Sequence, residues 1–165
     1  MEKLLDPTVV LLLIALPFCI WAAISDLRYM KIYNKTTLGL FLAFAVVGLL
    51  IFPLDLYALR IAQAALMLAV GFLLTAFGYM GGGDSKFIAA MAPFIALGDA
   101  TMFLMLLAAL SLLTVALHRG IGAIGSLKPY LAGWKSWQVG GKFPYGVTLS
   151  ASLACYLILQ AGIVS

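Results

Sequence analysis

Few side chains in this sequence are equipped for acid–base or nucleophilic chemistry, and two of them stand out by position. The chain has 165 residues with six carboxylates, one histidine and two cysteines. Asp26 closes the first apolar run, and Asp84 follows a glycine run just ahead of the fourth. Two carboxylates brought into one site cannot both ionise easily, so the pair keeps one proton. The ionised partner takes a proton from a water molecule, while the protonated partner polarises a peptide carbonyl or protonates the leaving amine. Such a pair titrates as a unit, and neither residue is assigned as the acid or the base. The chemistry expected of Asp26 and Asp84 is amide hydrolysis, with no metal or other cofactor.

The residues around Asp84 suit that chemistry. Gly81 and Gly83 lack side chains, which permits positive φ and the close approach of an extended substrate strand. Asp84 sits near a helix N-terminus, where the dipole favours negative charge. The plainer reading of the segment is a turn with an acidic helix cap. Lys86 either tunes the local field or anchors at lipid headgroups. His118, the sole histidine, reads as an interfacial residue, and Glu2, Asp6, Asp55 and Asp99 read as solvated tail or turn residues. Cys19 and Cys155 lie inside apolar runs with no Cys-x-x-Cys pairing, as small core residues rather than zinc ligands. No serine or cysteine has a plausible base partner, which weighs against a Ser/His/Asp or Cys/His enzyme.

The elements that must position these residues are membrane helices. The sequence is 65% hydrophobic and 10% charged, with mean hydropathy +1.14, whereas soluble domains keep roughly a quarter of their residues charged. The pattern predicts an all-α membrane protein, a polytopic bundle of about six transmembrane helices forming one domain over residues 1–165. The expected spans are Pro7–Ser25, Thr36–Phe52, Leu56–Phe77, a short Phe87–Leu97, Ala100–Leu117 and Pro144–Ile163. The first run does not resemble a cleaved signal peptide, since Glu2, Lys3 and Asp6 precede it, and it is read as a retained helix. The short fourth span implies a broken helix beside a cavity. The loop His118–Phe143, with Tyr130, Trp134 and Trp137, suits the membrane surface or a lid.

Charge sets the orientation. The net charge of +4 could suggest nucleic acid, but the basic residues fall in loops between spans, as membrane topology requires. Arg28, Lys31, Lys35, Lys86, Arg119, Lys128, Lys135 and Lys142 share one side, against Lys3 and Arg60 on the other. The first set, with Asp26 and Asp84, is expected in the cytoplasm, and both termini on the outside.

Three segments resemble a known family. Ser25-Asp26-Leu27-Arg28 with Lys31-Ile32-Tyr33-Asn34 resembles the Asp-x(n)-Ile-Pro-Asn segment of type IV prepilin peptidases, the GxGD aspartic peptidases. Gly81-Gly82-Gly83-Asp84-Ser85-Lys86 is similar to their Gly-x-Gly-Asp-x-Lys motif, and Phe143-Pro144-Tyr145-Gly146 resembles the Pro-Tyr-Gly that opens their last helix. The short length resembles the CpaA/TadV-like branch that serves Flp/Tad-type pili. The resemblance implies a multi-pass enzyme of the bacterial inner membrane, its active site facing the cytoplasm. It would cleave the positively charged leader peptide of prepilins, with the pilus assembly machinery as a possible associate. It assigns Asp26 and Asp84 as the catalytic pair and matches Gly81, Gly83 and Lys86 to motif positions. Tyr33 replaces the usual proline, and the Cys-x-x-Cys domain linked to N-methylation in many relatives is absent, so cleavage alone is expected. Alternative readings are a preflagellin or presenilin-like intramembrane protease, and a small polytopic transporter or channel subunit with the aspartates as ion ligands.

Overall fold

The structure is a computed structural model that describes residues 6–139 and 143–162. Among these, every regular element is helical. The expected residues Glu2, Lys3, Lys142 and Ile163 lie outside the described residues.

The first helix, α1, runs Pro7–Tyr29. Its start follows from local chemistry: proline occupies the first turn, and the Asp6 carboxylate accepts the Thr8 N–H at 2.7 Å. Its end is abrupt. Met30 adopts the left-handed conformation at φ 52°, the one non-glycine residue among those described with positive φ. That conformation costs about 1–2 kcal/mol outside glycine. It turns the chain sharply, so that Ile32 is buried before α2 begins at Asn34. Tyr33 precedes α2 with φ −79°, near the angle at which a proline ring would hold the backbone. The residue that departs from the family pattern therefore takes a proline-like backbone.

After α2 (Asn34–Ile51) a short turn leads into α3 (Leu54–Ala76), and α4 covers Gly82–Met91. The fourth element thus begins at Gly82 rather than Phe87. Gly82, Gly83 and Asp84 form its first turn, because the missing side chains let the helix start against its neighbours. Then come α5 (Ala100–Ala123), two four-residue helices, α6 (Lys128–Leu131) and α7 (Lys135–Gln138), and α8 (Tyr145–Gln160). Helix α5 extends beyond Leu117, so His118 and Arg119 are helical rather than loop residues.

Four helical segments are long and apolar enough to cross a membrane: α1, α2, α3 and Leu97–Ala123. The other two expected spans are shorter. Helix α8 has 16 residues and α4 only 10, lengths of about 24 and 15 Å against a hydrocarbon core of about 30 Å. The chain after α4 continues through short 3₁₀ turns at Ala92–Phe94 and Leu97–Asp99.

This break frees backbone groups that need partners at membrane depth. Side chains from neighbouring helices supply them. Arg60 donates to the Pro93 carbonyl and Gln63 to the Ile95 carbonyl, both at 3.2 Å. The Ala96 N–H donates to the Tyr156 hydroxyl at 3.0 Å. That hydroxyl donates to Asp99 at 2.8 Å, as does the Gln160 amide at 2.9 Å. Arg60 and Asp99 are therefore corrected: Arg60 is buried on α3, and Asp99 is a partly buried acceptor rather than a free turn residue.

Helix α8 packs along α1, and α4 lies against α3 and α2. Phe44, Phe87, Phe94, Leu149 and Leu153 fill the interior, with Phe44 and Phe94 edge to face at 5.1 Å between centroids. Helix α5 leans on α8 and buries Phe103 there. The segment between α5 and α8 is tied down by aromatics. Trp137 stacks on His118 at 4.5 Å and donates to its carbonyl at 3.0 Å, while Arg28 sits over Trp134 at 5.4 Å.

Candidate active site

The ends of α1, α4 and α8 meet around a cleft of about 670 Å³. Asp26 and Asp84 both line it, with the segment Gly78–Gly83 along one side and Tyr145 and Phe143 along another. Both carboxylates open onto this one cleft. The cleft therefore unites the residues singled out by type and spacing.

Asp26 is held from a distance in sequence. It lies in the last turn of α1, 6% exposed, and its Oδ2 accepts the Gly146 N–H at 2.7 Å. Gly146 is in the first turn of α8, where N–H groups lack helical partners and favour an anion. A β-carbon at position 146 would stand 2.9 Å from Asp26 Oδ2 and 2.8 Å from Ile32 Cδ1. Only glycine lets α8 approach so closely. Ile32 also touches α4: a β-carbon at Gly83 would meet Ile32 at 3.5 Å. Ile32, set inward by the left-handed Met30, thus wedges between the two helices that carry the rest of the site.

Asp84 is positioned by the crossing of α4 and α3. A β-carbon at Gly71 would come within 2.9 Å of the Ser85 side chain, so the helices meet almost backbone to backbone. The hydroxyls of Ser85 and Thr75 lie 2.7 Å apart, with the Gly71 carbonyl 2.8 Å from Thr75 and the Gly81 carbonyl 3.2 Å from Ser85, so two protons are shared among three contacts. Asp84 itself faces the cleft. The cap position of α4 is Gly81, and Asp84 stands three residues on, in the first turn of the helix. Burial pushes the Asp84 carboxyl above its ordinary range.

The glycines act by close approach rather than by backbone freedom. Glycine permits both at Gly81 and Gly83, and here Gly81 sits at φ −69° and Gly83 is helical. Gly78 instead takes the positive angle, at φ 77°, in the turn that opens the glycine run. A β-carbon at Gly81 would lie 2.9 Å from Asp84 Oδ2. Lys86 turns away from the carboxylates, and its Nζ donates to Asn34 Oδ1 at 3.0 Å on the far side of α4. His118 does not line the cleft.

Several contributors had no separate signal in the sequence: the Gly146 N–H, the Ile32 wedge and the Gly71–Thr75–Ser85 crossing. The Pro-Tyr-Gly resemblance at Pro144-Tyr145-Gly146 marked the place of the first. Ile32 and Ser85 stand within the other two segments of the resemblance, but nothing marked Ile32 as a wedge, or Gly71 and Thr75 as parts of a site.

An all-helical bundle with several membrane-length helices and an acid pair in a cleft at one end defines a class, that of polytopic membrane proteins with a carboxylate site. The chain belongs to the type IV leader peptidase family, whose model matches residues 13–118, well over half of its length. It is thus a leader-peptidase-like protease. Both aspartates fall inside the matched region, whereas Gly146 falls outside it. No curated protein and no solved structure gave a match to the chain.

Proposed function

We propose that the chain is a membrane-embedded aspartic endopeptidase that removes the leader peptide of prepilins, with Asp26 and Asp84 as its catalytic pair and residues 1–165 as a single peptidase domain. The observation that carries this reading is the convergence of both carboxylates on one cleft whose wall is glycine backbone. A cleft of 670 Å³ accommodates a short extended segment, and the bare backbone of Gly81 beside Asp84 lets that segment lie by the acids.

The reaction needs only the pair and a water. One carboxylate is ionised and removes a proton from the water, whose oxygen attacks the scissile carbonyl carbon. The other, protonated, gives its proton to the carbonyl oxygen, forming a neutral tetrahedral diol. Collapse breaks the C–N bond as the carboxyl that took the water's proton passes it to the departing amine, while the other carboxylate takes a proton from a diol hydroxyl as the product acid forms, so the pair again shares one proton. The Gly146 N–H holds Asp26 in place throughout.

Charge supports a cytoplasmic site. Arg28, Lys35 and Lys86 lie on helices at the cleft end of the bundle, and Lys31 lies in the turn between α1 and α2, the distribution found at inner faces of bacterial membranes. Flp/Tad-type prepilins are the proposed substrates, with preflagellins as the alternative. The test is cleavage of purified Flp-type prepilin and preflagellin by the protein in liposomes, with Asp26→Asn and Asp84→Asn alongside. Each substitution is expected to lower cleavage by about 10²–10⁴-fold while the helical signal persists. Full processing by either variant would refute the assignment, and cleavage of preflagellin alone would refute the substrate.

A further inference from the structure

A second concavity lies on the other side of α4, away from the acid pair. Helices α2 and α3 are pinned near their connecting turn, where the Tyr57 hydroxyl donates to the Ala45 carbonyl at 3.0 Å. Toward the Asn34 end they splay apart over α4 and leave a groove of about 440 Å³. Phe41, Ala65, Leu68, Ala89 and Ala90 line it, and Lys86 and Asn34 stand at its mouth. Leu38, Ala65 and Leu68 are exposed, so the groove opens on the outside of the bundle.

Lining chemistry and charge select the occupant. The lining runs over residues 34–41 of α2 and 61–68 of α3, which is about 10 Å of helix, and apart from Asn34, Thr37 and Lys86 it is apolar. The mouth carries a cation: Lys86 is exposed, donates to the neutral Asn34, and makes no ion pair among the described residues. An apolar slot with an unpaired ammonium group at the end nearest the membrane surface matches a chain with an anionic head.

We propose that this groove binds an anionic phospholipid, with one acyl chain between α2 and α3 and its phosphate on Lys86. The site stands independently of the proteolytic reading. It also gives Lys86 a role that its orientation away from the carboxylates leaves open.

The test compares lipid retention by native mass spectrometry of the full chain in detergent, with phosphatidylglycerol and phosphatidylcholine added in turn. The wild type is expected to retain phosphatidylglycerol about fivefold more tightly, the effect of one basic side chain on an anionic lipid. Lys86→Gln is expected to abolish that preference yet keep weak retention of both lipids. Ala65→Trp, which fills the groove from its exposed rim and leaves the core intact, is expected to remove both. Equal retention of the two lipids by the wild type would overturn the proposal, as would unchanged retention in the Ala65→Trp protein. A photo-crosslinking residue at position 68 in cell membranes separates the remaining occupants. Adducts to phospholipid are expected, and adducts to a peptide or to a second copy of the chain would overturn it.

Discussion

The two motif glycines of the Gly-x-Gly-Asp segment have opposite expected sensitivities, and the contrast tests how the site is built. Consider Gly81→Ala and Gly83→Ala. At 81 the new β-carbon would stand 2.9 Å from Asp84 Oδ2. Ordinary carbon contacts begin near 3.5 Å, so the carboxylate must move by roughly half an ångström or rotate. The obstructing atom is the end of a side chain, so the fold survives. The Gly81 backbone, at φ −69° and ψ 138°, accepts alanine without strain. Misplacement of a reacting group by about 1 Å costs on the order of 10²-fold, so Gly81→Ala should lower kcat/KM by about tenfold or more. At 83 the β-carbon would point at Ile32 and meet it at 3.5–3.6 Å, an ordinary contact away from the carboxylates. Alanine there also gains helix propensity of up to about 1 kcal/mol. Gly83→Ala should therefore keep near wild-type cleavage and melt at the same or a higher temperature. The assay is prepilin cleavage at several substrate concentrations, paired with thermal unfolding in the same detergent. Wild-type cleavage by Gly81→Ala, or equal loss by a folded Gly83→Ala, would refute the reasoning.

Further outcomes follow from other parts of the fold. Because burial raises the Asp84 carboxyl, the folded state holds its proton more tightly than the unfolded chain. That residue's contribution to stability is then fully present below the unfolded value of about 3.9 and falls as pH rises through the folded value. Asp84→Asn should consequently melt above the wild type at pH 8, with the gap closing by about pH 3.5; a gap independent of pH would show that burial is not the cause. Arg60→Met should leave the Pro93 carbonyl without its partner and cost about 1.5–3 kcal/mol in thermal or chemical unfolding, whereas unchanged stability would mean that another group takes over the break after α4.

Much of the site was legible because acids are scarce in an apolar chain. With six carboxylates in 165 residues, Asp26 and Asp84 were conspicuous, and the cleft does bring them together. The helical class was equally plain, since membrane-length apolar runs can satisfy their backbones only as helices or closed barrels. Other expectations misjudged distance or depth. Asp99 and Arg60 fall beside turns in the sequence, but in space they serve the broken backbone after α4. At Gly81 and Gly83 the sequence left both positive φ and close approach open, and the fold uses close approach, against Asp84 and Ile32.

Amino-acid order alone determined where the apolar helices lie, which carboxylates are rare enough to matter, and which end of the bundle is basic. Those properties depend on composition along short stretches, which a sequence displays directly. Tertiary structure decided what surrounds each acid. Gly146 donates to Asp26 from 120 residues away, Ile32 bridges α4 and α8, and the Gly71–Ser85 crossing sets the height of Asp84. Lys86, two positions from Asp84, faces Asn34 because successive helical residues diverge by about 100°. Such relations arise only when helices pack, because close approach is a property of two surfaces together.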